Sequence, residues 1–502
     1  MPQLGIYHDD SIYWVTAKSL ASGAGYRIES LPGQPHQTKY PPMLPALLAL
    51  VWRLAPEFPA NLRWAALLAW MWLPLLLAAA RKLYQDYGLG WWTGWILCAA
   101  IALNLVAATF STLLMTELMF STLLLAALIL AERASRPGSP RWLGALAGII
   151  GGVAFLTRTA AGVLLLTAPL VFAVRRQYRQ AMLFLAGMIP AVFGWQVWCL
   201  ARRAPSGDMM TLYYTDYFGF HLANVTWEQL PSWVGQNAAA LVAGLGELLL
   251  FDDSGNFWLH QLTRLFAFAG IAGAIRLAWR TSQWHYPAYA VAFCLQAVLW
   301  HFPPRDRLVL PLLPLLLAGF WTEMSHLAGI VAAAWRRRKP GDRVAAAMTA
   351  AAMCALVAAI AWRTHYALAQ FVPEIFAQHR QALADNLAAY RWLASNSPQD
   401  SRVLAYDDPL MYLYTGRRAA SWRIPPKYAY NSDSTGMTRH VAAMPGYARS
   451  AQLGWVLFTS GDYRLDSYAV GQRALRGVLG ADPAFHLAYQ HGQAAVYRIE
   501  AQ

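Results

Sequence analysis

Ten apolar runs constrain this 502-residue chain more than any other feature of its sequence. They lie near 62–80, 90–109, 114–131, 142–157, 160–174, 181–200, 259–279, 286–302, 307–325 and 344–363. A membrane-crossing helix needs about 20 mainly apolar residues, and most of these runs approach that length. Only 13% of the residues are charged and 57% are hydrophobic, against roughly 25% charged in a soluble domain. The pattern predicts a polytopic α-helical membrane protein.

Two further stretches, 43–56 and 234–251, are short or flanked by acids and aromatics. Charge parity decides their placing. If neither crosses, every basic cluster falls on the same side: Arg81 and Lys82, then Arg133, Arg136 and Arg141, then Arg175, Arg176 and Arg179, then Arg276 and Arg280, then Arg336 to Lys339. The positive-inside rule makes that side cytoplasmic. Both stretches then lie in the outer interface. Residues 1–61, the 110–113 turn, the 201–258 loop, the 302–306 turn and everything after 364 face outward. A loop such as 1–61 would ordinarily follow a first transmembrane helix, and "MPQLGIYHDD" supplies neither an anchor nor a signal. The sequence therefore reads as starting too late, after a first helix, or as having lost that helix.

The same topology accounts for the net charge of +14. Its basic residues sit in short loops rather than on one stripe, which argues against nucleic acid. The cysteines Cys98, Cys199, Cys294 and Cys354 are far apart within apolar stretches, with no CxxC spacing. They read as small core residues. From about 364 the pattern changes to that of a soluble α/β domain: "RVLAYDDPLMYLYTGRRAAS" reads strand, short helix, strand, and "FHLAYQ-HG-QAAVYRIE" reads as a hairpin around a His-Gly turn. The division is a transmembrane domain over 1–363 and an extracytoplasmic α/β domain over 364–502.

The residues with chemistry cluster on the outward side. "HDDSIYW" places His8, Asp9 and Asp10 ahead of a short interfacial helix beginning just after the acids, where either acid also suits an N-cap. Lys39 precedes Pro41 and Pro42 in the same loop. Glu117 sits near the outer end of an apolar span, where an ionisable group is costly unless paired or functional. Arg158, Arg305 and Arg307 lie at outer turns where positive charge is not otherwise expected. Each arginine alone fits snorkelling to lipid phosphates; together with the carboxylates they suggest a site for an anionic lipid head group. The aromatic loop "YYTDYFGFH", Tyr213 to His221, with Trp227 to Trp233, suits either sugar stacking or an interfacial belt. Asp407 and Asp408 read as a turn or helix cap.

The order "HDDSIYWVTAKSLASGAGYR … TKYPP", "MTELMF", "FLTRTAAG", "PPRDRLVLPLLPLLLAG" resembles the GT-C superfamily of membrane glycosyltransferases, specifically glycosyltransferase family 39, related to aminoarabinose transferases and protein O-mannosyltransferases. The resemblance covers about 1–363. It implies inverting transfer of a sugar from a polyprenyl-phosphate donor to a glycan, lipid or protein acceptor at the extracytoplasmic face of the inner membrane. The first acid of the family's Asp-Glu pair falls on Asp9, and the second falls on Asp10 with a shortened side chain. The acid of the next outer turn falls on Glu117, and the Lys before Pro-Pro falls on Lys39. The implied catalytic residues are Asp9, Asp10 and Glu117; the donor phosphate falls to Lys39, Arg158, Arg305 and Arg307. His8, Tyr13, Tyr214 and Asp216 are candidate sugar or acceptor contacts. Paired carboxylates suit a divalent ion, but the aminoarabinose branch implies no metal, and no cofactor is expected. The alternatives are a transporter or flippase of lipid-linked sugar, and a member that binds its donor without turnover.

Overall fold

The computed structural model describes residues 4–204, 209–224, 227–300, 303–336, 340–463 and 466–500. Arg337, Arg338 and Lys339 of the last basic cluster lie outside the described residues, as do Phe302 of the 302–306 turn and the side chain of His221. The chain packs as two compact units. One comprises Met1–Ala66, Val197–Trp233 and Glu374–Gln502; the other comprises Leu67–Gln196 and Val234–Pro373. The C-terminal segment thus shares a unit with the first loop and with the start of the 201–258 loop.

Each of the ten apolar runs is helical in the described residues. The run at 90–109 is broken in two, Trp91–Ala102 and Leu105–Phe110, because Asn104 caps the second piece by accepting from the Val106 and Ala107 amides. The run at 307–325 opens with short 3₁₀ turns before the helix Leu313–Arg336, since Pro311 and Pro314 withhold amide donors at its start. Among the described residues five helical stretches are long and apolar enough to cross a membrane: Leu62–Asp86, Tyr178–Arg202, Phe257–Thr281, Leu310–Arg336 and Gly341–Asn396. Trp70, Trp92, Leu166, Leu170, Met182, Phe193 and Phe268 are exposed on these and neighbouring helices, as lipid-facing side chains are. The protein is a multi-pass α-helical membrane protein. Met43–Leu54, at 12 residues, is about 18 Å long and is too short to cross.

Close helix packing in the second unit depends on glycine. A side chain at Gly273 would strike the Gly319 carbonyl, and one at Gly319 would strike the Gly270 carbonyl, so Phe257–Thr281 and Leu313–Arg336 cross backbone to backbone. Gly148 and Phe184 make the same close approach between Trp142–Thr157 and Tyr178–Arg202. Such contacts bring dispersion and interhelical packing that lipid cannot replace.

In the first unit, the C-terminal segment builds a five-stranded mixed sheet from β1 (Arg402–Ala405), β2 (Arg418–Ala420), β3 (Trp455–Phe458), β4 (Phe485–His491) and β5 (Ala494–Ile499), in the order β2-β1-β3-β5-β4. The expected strand–helix–strand is β1, the helix Asp408–Thr415 and a parallel β2. The expected hairpin is β4–β5, turning at Gly492, whose φ of 54° favours glycine. Leu404, Val456, Phe458, Val441, Leu475 and Leu479 bury the core between the sheet and its helices.

Gly319→Val will lower the thermal unfolding temperature of the protein in detergent, at a cost of about 1–3 kcal/mol, while Gly329→Val, at an open position, will change it little.

Candidate functional site

The N-terminal helix runs His8–Ala21, so it begins at His8 and takes both acids into its first turn. The expected start after the acids is corrected for a local reason. Asp10, at the third helical position, turns back and accepts from the Gly5 amide at 3.0 and 3.1 Å, the Tyr7 amide at 3.4 Å and the Ser11 hydroxyl at 2.9 Å. A carboxylate there also complements the helix dipole. Asp10 is 0% exposed and burial pushes its carboxyl up to about 7, against those hydrogen bonds. Neither acid is the N-cap residue, which is Tyr7.

Asp9 is turned elsewhere and is only partly buried. Its Oδ1 accepts from the Tyr40 hydroxyl at 2.5 Å. The Lys39 ammonium lies 3.6 Å from the centroid of the Tyr213 ring and 4.8 Å from that of Tyr40, a cation–π arrangement that holds the charge in place. Tyr40 thus donates to Asp9 through its hydroxyl and carries the Lys39 ammonium against its ring. Tyr13 is buried, edge-on to Tyr40 at 5.0 Å.

Asp407 is the N-cap residue of the helix Asp408–Thr415, though no side chain caps that helix. Asp408, read from sequence as a cap or turn, has a different use. It is 0% exposed and meets residues from two other segments of the same unit. Its Oδ1 lies 3.1 Å from His8 Nε2 and accepts from the Tyr214 hydroxyl, while Ser30 donates to Oδ2 at 3.4 Å. The Tyr214 hydroxyl is also 3.3 Å from His8 Nε2. Burial, followed by the charges of Arg423 and Lys39, holds the His8 imidazole well below its usual range. Burial pushes Asp408 up to about 7, opposed by Tyr214, Arg423 and Ser30, and raises Asp407 well above the carboxylate range, with Asp10 and Asp408 adding to the effect. Arg423 donates to the Tyr406 carbonyl at 2.7 Å and stacks 4.0 Å over the Tyr406 ring. Tyr214 also lines a cavity of about 330 Å³ with Leu31, Thr211, Thr215, Arg402 and Tyr447. Asp216 is engaged locally, by Arg203 and by the Gly219 amide at 2.9 Å.

In the second unit three of the predicted residues come together. Glu117, 1% exposed at the start of its helix, accepts from Arg158 at 2.7 Å, and Arg307 lies 3.6 Å from the same Oε1. Two guanidinium groups thus share one carboxylate oxygen. The other, Oε2, is buried without a partner among the described residues. Arg305 does not join this cluster and lies 3.9 Å from Glu247, a partner that sequence reasoning did not single out. Among the described residues no group of three or more His, Cys, Asp and Glu is placed to hold a metal ion.

No protein-family model matches the chain, and no curated protein matches it by sequence. Solved structures do. ArnT from Cupriavidus metallidurans bound to undecaprenyl phosphate aligns with a TM-score of 0.55 at 13% identity, over 97% of this chain and 93% of that one. The Archaeoglobus fulgidus oligosaccharyltransferase, tethered with an acceptor peptide, aligns with a TM-score of 0.54 at 13% identity, over 98% of this chain and 70% of that one. The chain shares the fold of these two structures, as the resemblance read from its sequence implies. Two differently named transferases align comparably well, so the likeness shows the fold and does not single out family 39.

Asp10, Asp408 and Asp462 share one pH signature, since burial lifts each to about 7. In the unfolded chain they titrate near 4, so between about pH 4 and 7 the folded unit keeps protons that the unfolded chain has released. Stability from these groups is full below about pH 4 and is lost as pH rises through about 7. Asp462→Asn removes this group's share, so the variant's thermal unfolding temperature will rise relative to that of the wild type as pH goes from about 5 to 8.

Proposed function

We propose that the chain is an inverting glycosyltransferase that moves a sugar from a polyprenyl-phosphate donor to an acceptor hydroxyl at the extracytoplasmic face of the cytoplasmic membrane. The observation that carries this reading is the Asp9 carboxylate, partly accessible and oriented by the hydroxyl of Tyr40, whose ring also bears the Lys39 cation. The fold supports it, since the ArnT structure is bound to undecaprenyl phosphate.

Inversion needs a base on the face of the anomeric carbon opposite the leaving phosphate. Asp9 takes the proton of the attacking hydroxyl, a role worth roughly 10²- to 10⁴-fold in rate, and Tyr40 fixes the orientation of its carboxylate. Asp10 has no part in this step, because its oxygens serve the helix end. The departing phosphate requires positive charge already in place, and Lys39, Arg158, Arg305 and Arg307 are assigned that role. Glu117 holds Arg158 and Arg307 ready. No resident metal or cofactor enters this scheme. The acceptor is a glycan, lipid or protein hydroxyl, and the apolar runs, as about ten spans, cross the membrane so that the Asp9 helix and the sheet face outward.

Purified protein in detergent, given a panel of radiolabelled polyprenyl-phosphate sugars, will transfer label with EDTA present. Asp9→Asn will lose about 10²- to 10⁴-fold of kcat; full activity in that variant would remove Asp9 as the base. Donor binding without turnover in the wild type would favour the non-catalytic or transporter readings. In a cysteine-free background, a membrane-impermeant maleimide applied to intact cells will label Ser432→Cys and spare Arg136→Cys; the reverse pattern would overturn the orientation.

A further inference from the structure

His8 and Asp408 form a pair whose use is not accounted for by the roles above. His8 contributes Nε2 to Asp408 and Tyr214, while its Nδ1 is buried with no partner among the described residues. An imidazole nitrogen shut away from water without a hydrogen bond costs free energy. The side chain is 10% exposed, and it stands one residue before the candidate base.

The arrangement at Asp408 sets the tautomer. Oδ1 accepts the Tyr214 proton, and Ser30 donates to Oδ2, so the carboxylate acts as acceptor on both oxygens. Once Asp408 is ionised, His8 Nε2 at 3.1 Å is the protonated nitrogen, and Nδ1 carries a lone pair. The other charged and titratable groups around the ring are Arg423, Lys39, Tyr213 and Tyr214. The two cations disfavour a second proton, so the imidazole stays a neutral acceptor. Tyr214 also borders the cavity of about 330 Å³, within the range usual for small-molecule sites.

We propose that His8 Nδ1 accepts a hydrogen bond from a substrate hydroxyl, on the sugar or on the acceptor, and that Asp408 and Tyr214 are positioning residues that hold the ring in the Nε2–H tautomer for this purpose. This rests on the transferase reading. No bond is made or broken at His8; it orients a hydroxyl while Asp9 takes the proton.

The test pairs a spectroscopic readout with kinetics. Protein labelled with ¹⁵N-histidine, with the His8 signals assigned by their absence in His8→Gln, will show Nε2 protonated and Nδ1 bare at about pH 8, above the Asp408 titration. An Nδ1–H tautomer, or a cationic ring at that pH, would overturn the proposal whether or not the protein is active. Asp408→Asn will mix the tautomers while Asp9 and Lys39 remain in place. In kinetics, His8→Asn, which keeps an acceptor near the Nδ1 position, will stay within a few-fold of wild type. His8→Gln, which keeps a donor toward Asp408 but loses that acceptor, will lose about tenfold in kcat/KM, most of it in KM for one substrate. Equal kinetics for the two variants, both folded by thermal unfolding, would overturn it too. A wild type with the expected tautomer and no turnover with any donor would instead sink the transferase reading beneath it and, with it, any substrate for the site.

Discussion

A carboxylate taken out of water must be met by donors or cations, because the desolvation penalty is several kcal/mol per ion. In the first unit that requirement is concentrated on Asp408. Its partners, His8, Ser30 and Tyr214, lie in the first loop and in the helix Met209–Thr215. Tyr412 donates to Glu29, and the Ala419 amide donates to the Ser30 carbonyl, which continues the same seam. The helix carrying Asp9 is therefore held in register by a residue 400 positions along the chain. The C-terminal segment is part of what shapes the N-terminal helix and is not a separate appendage.

The second unit solves the same problem with arginine, and comparing its carboxylates separates scaffold from site. Asp86 receives Lys82 and Arg133 at 2.8 and 3.1 Å. Glu132 receives Arg175 on one oxygen and the backbone amides of Trp284 and His285 on the other. Both oxygens of Glu132 are satisfied, as in a structural tie. Glu117 differs, with two guanidinium groups on one oxygen and no partner for the other among the described residues. A tie between helices does not need paired cations beside an unfilled acceptor, and the proposed donor site makes use of them.

What the sequence conveyed follows the range of the interaction. Apolar runs of helical length became helices because burial in lipid depends on local composition alone, and the β4–β5 hairpin was legible because its glycine turn is local. Glu117, Arg158, Arg305 and Arg307 stood out by their unusual placement; three of them meet, and Arg305 lies against Glu247. The His8–Asp408 pair did not stand out, since an Asp-Asp-Pro at a helix start looks like a cap whether or not a histidine from the other end of the chain sits against it. Tyr13 and Tyr214, candidate sugar or acceptor contacts by residue type, are both buried, and an aromatic run does not reveal which ring turns inward. The break at Asn104 was likewise hidden within an apolar stretch.

The choice between the two adjacent acids shows most clearly where local reasoning ends. Successive helical residues differ by about 100° in direction, so Asp9 and Asp10 face different surroundings whatever their sequence neighbours. Once the helix begins at His8, Asp10 occupies the third helical position, from which an acid reaches back to the free amides before the helix. A glutamate serves that position equally well, so the shortening of the second acid relative to the family's Asp-Glu pair leaves the cap intact. Asp9 points instead toward Tyr40, 31 positions along the chain. The helix start commits Asp10 to structure and leaves Asp9 turned toward Tyr40, which is the acid the proposed transfer uses.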